Sequence, residues 1–271
     1  MPIAIESGEH RVGAPAQHVP SRPTMIITPG RIAYFGLLGR PKLRIFGGWA
    51  VYLSIGAPIT TRIGGEHNQS FFGVIEPYVP HTIETTDRFV IEVVIEAETV
   101  DPSHPLLSFQ HLDVAEAAER ICRAFQQTSL KVPDCTSFDQ LFFGQSLPKR
   151  RLDPRIERII RQIQQSPADS HSAEDYARQC NLSNSRFTHL FREQTNTTLR
   201  RFCAWKRARA VMNFVKNDEP LVNTALSAGF ADSTHLSHSI RFFFGLRPKD
   251  IMAGSRNLNL VCDKPRLATR I

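Results

Sequence analysis

Several things are scarce or missing in this chain, and each absence closes a class of function. No run of apolar residues reaches the length a membrane-spanning helix needs. The first fifteen residues, MPIAIESGEHRVGAP, lack a basic start followed by an apolar stretch, so no secretory signal is expected and the chain is placed in the cytoplasm. The five cysteines (Cys122, Cys135, Cys180, Cys203 and Cys262) form no CxxC pair and stand at no zinc-ligand spacing with histidine. They read as reduced thiols, and no metal or other cofactor is expected. There is no Gly-rich phosphate loop, no Gly-x-Ser-x-Gly, no His-Glu-x-x-His and no recognisable carboxylate pair. The chain is therefore not expected to be an enzyme. At 41% apolar residues it can bury a core, and its 271 residues fit one large or two ordinary domains.

Charge is unevenly spread. Residues 1–150 carry 13 Lys and Arg against 15 Asp and Glu, while residues 151–271 carry 20 against 11. A basic half joined to a near-neutral half suits a polyanion-binding module attached to something else. A solvated basic face that aids solubility is the plainer alternative.

Residues 1–24, rich in Pro, Gly, His and Ser, read as a flexible arm. Short β-rich runs follow: Ala50–Ile55, Phe71–Ile75 and Phe89–Ile95, with Gly56-Ala-Pro, Gly64-Gly-Glu and Pro77-Tyr-Val-Pro as turns between them. This spacing predicts a β-sandwich or barrel. Around 111–127 the apolar spacing turns helical, and that stretch either packs on the β-domain or pairs with a twin in a homodimer. Leu147–Asp153 reads as a linker. From 153 to about 254 the pattern is helical throughout, and 255–271 reads as a loose basic tail.

The helical region repeats itself. At an offset of 48, Ala177 meets Ala225, Asn181 meets Gly229 and Leu182 meets Phe230. Past the turn the offset becomes 49, and Phe187 meets Leu236, His189 meets His238 and Arg192 meets Arg241. One inserted residue in the second turn accounts for the change. In each copy a small residue lets two helices cross closely, Asn or Gly closes the first helix in a left-handed conformation, and an apolar residue plugs the turn. That is helix-turn-helix logic, twice, with a second helix whose outer face can enter a major groove.

The segment 153–254 resembles the DNA-binding domain of the AraC/XylS family of bacterial transcription regulators. The resemblance rests on Leu182-Ser-Asn-Ser-Arg-Phe-Thr-His-Leu-Phe-Arg-Glu-Gln-Thr-Asn and on Ala228-Gly-Phe-Ala-Asp-Ser-Thr-His-Leu-Ser-His-Ser-Ile-Arg-Phe-Phe-Phe-Gly-Leu-Arg-Pro. It implies base reading by Ser185, Thr188 and His189 in the first copy and by Ser233, Thr234 and His238 in the second. Arg186, Arg192 and Arg241 are better suited to phosphates. The chain departs from the family pattern at His238, where Arg is frequent, at Ile240-Arg241, at Phe242, where a polar residue is usual, and at Asn196, where Gly is preferred. Histidine is the weaker partner for guanine, so the second copy is expected to read sequence less strongly.

Residues 25–150 resemble the cupin-like sensor half found in many members of that family, on the cues Thr28-Pro-Gly-Arg and Pro77-Tyr-Val-Pro-His81. The fold class expected is α+β: a cupin-like β-barrel or sandwich followed by an all-α domain with two helix-turn-helix units. No His-x-His stands near Arg44–Trp49, which disfavours a metal-dependent cupin enzyme. Trp49, Tyr52, Arg62 and His81 are candidates to line a small-molecule effector pocket; plain core packing, and a structural or loop-capping role for His81, are the alternatives. The expected function is sequence-specific, effector-responsive transcription regulation at the nucleoid, with double-stranded DNA, RNA polymerase, a small effector and a second copy of the chain as partners, and no membrane. A constitutive regulator whose N-terminal half only dimerises is the runner-up.

Overall fold

The computed structural model describes residues 22–36, 42–87, 89–103, 134–169, 171–215 and 221–262, together with the helical positions 116–117, 119–121 and 123. The N-terminal half is built from β1 (Thr24–Ile27), β2 (Arg31–Gly36), β3 (Gly48–Ser54), β4 (Ile59–Ile63), β5 (Glu66–Ser70), β6 (Phe72–Ile75), β7 (Thr82–Glu84) and β8 (Val90–Glu96). With the C-terminal strand β9 (Asn259–Cys262) they form a six-stranded sheet, in the order β6-β3-β8-β2-β1-β9, and a three-stranded sheet, β5-β4-β7. The two sheets are sandwich-like rather than a closed barrel, which narrows the expectation from sequence.

Strand alternation gives the large sheet two faces. Trp49, Val51, Leu53, Phe35, Val93 and Ile95 point one way and pack under helix α1 (Cys135–Phe143), which contributes Phe138, Phe142 and Phe143. Ala50, Tyr52, Ile32, Val90 and Val94 point the other way. Ile59 and Ile83 of the small sheet close over them, together with residues of the helical half.

The helical half contains α2 (Pro154–Gln165), α3 (Ala173–Gln179), α4 (Asn184–Thr195), α5 (Leu199–Val211), α6 (Leu221–Ser227), α7 (Ser233–Phe244) and α8 (Pro248–Gly254). Asp153 caps α2 with Pro154 in its first turn, and Ser172 and Asp175 close a capping box on α3. The loose tail expected from residue 255 does not hold over 255–262. Ser255–Asn257 is a 3-10 turn, and β9 (Asn259–Cys262) adds to the sheet edge in parallel with β1, Thr24 opposite Asn259 and Ile27 opposite Cys262. The physical reason is an unsatisfied edge: β1 offers a row of backbone donors and acceptors, and Leu258, Leu260 and Val261 supply apolar surface to bury there. The arm expected over 1–24 gives up its last residue, since Thr24 already belongs to β1; residues 1–21 lie outside the described residues, as does most of the 111–127 stretch, of which Ala117 and Ile121 are buried against the sheet.

Candidate nucleic-acid interface

Two helix pairs, α3–α4 and α6–α7, repeat the same backbone construction. The plug residue donates to the carbonyl of the small residue in both: Leu182 N–H to Ala177 O at 2.9 Å, and Phe230 N–H to Ala225 O at 2.9 Å. The left-handed residue donates to the carbonyl three back: Asn181 to Arg178 at 3.1 Å, Gly229 to Leu226 at 3.0 Å. Their φ angles are 53° and 80°. At Gly229 a Cβ would also stand 2.3 Å from the Ala168 Cα, so only glycine fits there. The following helices are capped by Ser183, accepting from Arg186 N–H, and by Asp232, accepting from His235 N–H. One residue, Ala231, separates Phe230 from its cap, whereas Leu182 runs straight into Ser183; this is the insertion that moves the offset from 48 to 49.

Both second helices turn their apolar side inward and leave the other side open. On α4, Phe187 and Phe191 are buried while Ser185, Arg186, Thr188, His189 and Arg192 are exposed. The Thr188 hydroxyl donates within its own helix, to the carbonyls of Asn184 and Ser185, both at 3.0 Å. His189 Nδ1 lies 4.0 Å from Glu193 Oε2. On α7, Leu236, Ile240 and Phe243 are buried, Thr234, His238 and Arg241 are exposed, and Ser233 is half-buried. His235 also faces outward, its ring edge-on to Phe230 at 5.4 Å; sequence reasoning passed over it, although its place one turn from the Asp232 cap put it on the open face. Phe242 is 48% exposed, an apolar group on an otherwise polar ridge.

The helix joining the two pairs is buried on most sides. Trp205 of α5 is fully enclosed by Phe46, Phe243 and Phe244, and donates its indole N–H to Glu96 Oε2 at 2.9 Å. Lys206 pairs with both Glu96 and Glu98, and Arg209 Nε lies 2.6 Å from Glu96 Oε1. Burial alone would raise the Glu96 carboxyl; the cations of Lys206 and Arg209 outweigh it and hold it below the usual carboxylate range. Glu98 also accepts from Gln164 of α2 at 2.7 Å. Sequence reasoning missed this clamp. Arg200, Arg201, Lys206, Arg207 and Arg209 crowd α5 without one acidic neighbour on that helix, and such a run buried needs counterions from elsewhere.

The four effector-pocket candidates do not share a pocket. Tyr52 and His81 meet, hydroxyl to Nε2 at 2.8 Å. Trp49 points to the opposite face of the sheet, among the residues under α1. Arg62 sits on the small sheet with its side chain 52% exposed, beside Glu84 at 3.5 Å. Burial pushes His81 down to about 4, so its ring is neutral. Among the described residues no cluster of three or more His, Cys, Asp or Glu could hold a metal, and no helix is long and apolar enough to cross a membrane.

Known proteins bear on this geometry. A helix-turn-helix domain family model matches residues 176–253. The HTH-type transcriptional activator RhaR of Mannheimia succiniciproducens is 22% identical over 192 residues, which cover 67% of this chain and 63% of the relative. The match therefore spans just under two thirds of that relative's length. An apo form of a ToxT variant from Vibrio cholerae strain SCE256 superposes with a TM-score of 0.57 at 10% identity, over 84% of this chain and 98% of that one. ToxT from the same strain with an unsaturated fatty acid bound gives 0.50 at 9% identity, over 83% and 95%. At these identities the likeness is one of fold.

Proposed function

From a chain whose C-terminal segment is an AraC/XylS-type double helix-turn-helix domain, we propose sequence-specific, effector-responsive transcription regulation as its function. One observation carries the reading: both second helices keep their polar ridges open, since α4 buries its apolar side in a core within the helical half and α7 buries its own against α5 and the N-terminal sheet. In this reading Ser185, Thr188, His189, Ser233, Thr234 and His238 read base edges. Arg186, Arg192 and Arg241 hold phosphates, and His235 joins the base-reading set. The two helices dock in successive major-groove segments, roughly 34 Å apart. Each Lys or Arg at a phosphate releases a counterion, so affinity falls steeply with salt.

The N-terminal half is the sensing and pairing half, and no catalysis is assigned to it. Double-stranded DNA is the central partner; RNA polymerase and a second copy of the chain are the protein partners this reading carries, in the cytoplasm at the nucleoid. ToxT, which has this fold, takes an unsaturated fatty acid, and that supports a small effector here.

DNase footprinting of the purified chain on DNA beside its own gene tests the reading. Two protected elements one helical turn apart are expected, and no protection at low salt overturns it. Replacing His238 by Ala should relax preference at one or two base pairs without equal loss on all sequences. The dispersal of Trp49 and Arg62 away from Tyr52 and His81 favours a second reading, a constitutive regulator; saturable thermal stabilisation by a metabolite would exclude it.

A further inference from the structure

Two arginines are buried in the N-terminal half, each 2% exposed, and their guanidinium groups are used differently. Arg31 turns its Nε–Nη2 edge to a carboxylate of the chain itself: Nε lies 2.7 Å from Asp139 Oδ1 and Nη2 lies 2.8 Å from Oδ2. Its Nη1 donates to Gly30 O and Thr99 Oγ1. Arg44 spends only Nη1, at 2.6 Å from Glu92 Oε2 and 3.4 Å from the Tyr52 hydroxyl. Its Nε and Nη2 are buried with no hydrogen-bond partner among the described residues. These are the same two atoms that Arg31 fills with a carboxylate. They form one edge of a rigid planar fork whose spacing matches two oxygens of a planar anion. Leaving charged donors buried and unmet is costly.

The surroundings of that edge are fixed. His81 Nδ1 pairs with the Val79 carbonyl at 2.9 Å, so Nδ1 carries the proton and Nε2 accepts from Tyr52. The Tyr52 oxygen is thereby left to accept from Arg44 Nη1. The rings of Phe46 and Tyr52 lie 5.4 and 5.9 Å from the guanidinium carbon and give the site apolar walls. Arg44 also stands in the segment that grips the second helix-turn-helix unit. Lys42 N–H donates to Gly245 O at 2.9 Å and Ile45 N–H to Phe243 O at 3.1 Å, either side of it.

We propose that the buried, unpaired edge of Arg44 is the anchor for a small organic acid, taking its carboxylate in the side-on manner Arg31 takes Asp139. The inference rests on the effector-responsive reading and deepens it: it names the ligand class, and it names Lys42–Ile45 as the element through which occupancy reaches the C-terminal end of α7. A group entering at Arg44 must move that segment, so its affinity and the seating of α7 are linked.

The test uses the full chain, with benzoate, octanoate and succinate as probes and their amides as uncharged controls, at matched ionic strength. At least one carboxylate should raise Tm saturably, and its amide should bind about tenfold more weakly or worse. Arg44→Lys keeps the charge but loses the fork, and should weaken the carboxylate about tenfold or more. Glu92→Gln keeps Arg44 and removes the nearby negative charge, and should tighten it. Bound carboxylate should also change hydrogen exchange at Phe243–Gly245. Absence of any saturable shift in both the wild type and Glu92→Gln overturns the proposal, as does equal binding of acid and amide or weaker binding by Glu92→Gln. Footprinting without added acid is a separate measurement: a chain that protects DNA but ignores carboxylates keeps its regulatory reading and loses this one.

Discussion

The two helix-turn-helix units share a backbone plan and differ in what holds them. The first has a core of its own: Ile156, Ile159, Ile160 and Ile163 of α2 meet Tyr176, Ala177, Phe187, Phe191 and Phe202 in one cluster that takes nothing from the sheets. The second has no separate core. Ala225, Ala228, Phe230, Leu236, Ile240 and Phe243 belong to the same cluster as Ile32, Phe46, Ala50, Tyr52 and Val94 of the sheet. Its recognition helix is gripped at the end by Lys42 and Ile45, and the chain beyond it is stitched to the sheet edge by β9. A duplicated sequence has thus become one self-supporting unit and one that is part of the N-terminal body.

The sharpest way to break this comparison is Trp205→Ala. Truncating a fully buried tryptophan should cost about 3–5 kcal/mol. Hydrogen exchange should show the large sheet and α6–α7 losing protection together, with α3–α4 less affected; equal loss in both units would refute the asymmetry.

Acid offers the next largest handle. His81 is held at about 4 against an ordinary 6.5, so the unfolded chain binds the proton more readily. Stability from the neutral ring is fully present above pH 6.5 and is lost as pH falls toward 4, by about 3 kcal/mol. Melts between pH 7.5 and 4.5 should show this loss, and His81→Gln should flatten it. The sheet and the second unit should loosen first.

A reciprocal exchange follows. Asn196 and Gly245 close α4 and α7 at equivalent places, with φ of 55° and 66°. Asn196 is exposed, so Asn196→Gly should gain up to about 1 kcal/mol. A Cβ on Gly245 would stand 2.4 Å from the Lys42 carbonyl, so Gly245→Asn should cost about 1–3 kcal/mol and loosen the grip on the second unit. Thermal melts of the pair should move in opposite directions.

The smallest contrast lies in single hydroxyls. Ser172 completes the capping box of the first unit, and Ser172→Ala should cost about 1 kcal/mol. Thr224 of the second unit is buried, its Oγ1 without a hydrogen-bond partner among the described residues, and it lines a small apolar cavity with Val211, Ile240 and Met252. Thr224→Val should therefore stabilise, by about 1 kcal/mol. Urea midpoints of the two variants should shift to opposite sides of the wild type.

What the sequence revealed follows the same asymmetry. Local rules expose local construction: the capping residues, the left-handed Asn181 and Gly229, and the inward phenylalanines of α4 are all readable from spacing of three and four. The merged core was not readable that way. Helix α5 shows little one-sidedness because it is covered on most sides, and the acids answering Lys206 and Arg209 lie over a hundred residues upstream. Strand β9 escaped for a related reason. Four residues next to polar neighbours read as tail until an unpaired strand waits for them. Tyr52 and His81 were singled out, but Arg44 was not, since nothing near it in sequence reveals that its charge is buried.

Strand β9 also sets the order in which this chain can mature. The outermost seam of the large sheet is closed by residues 259–262, which are synthesised more than two hundred positions after the strand they lie beside. While translation proceeds, β1 presents a bare margin to whatever else is nearby, and a ribosome that stalls late releases a product with that margin still open. Such products would be marked for chaperones or proteolysis by a feature that every finished copy has already hidden.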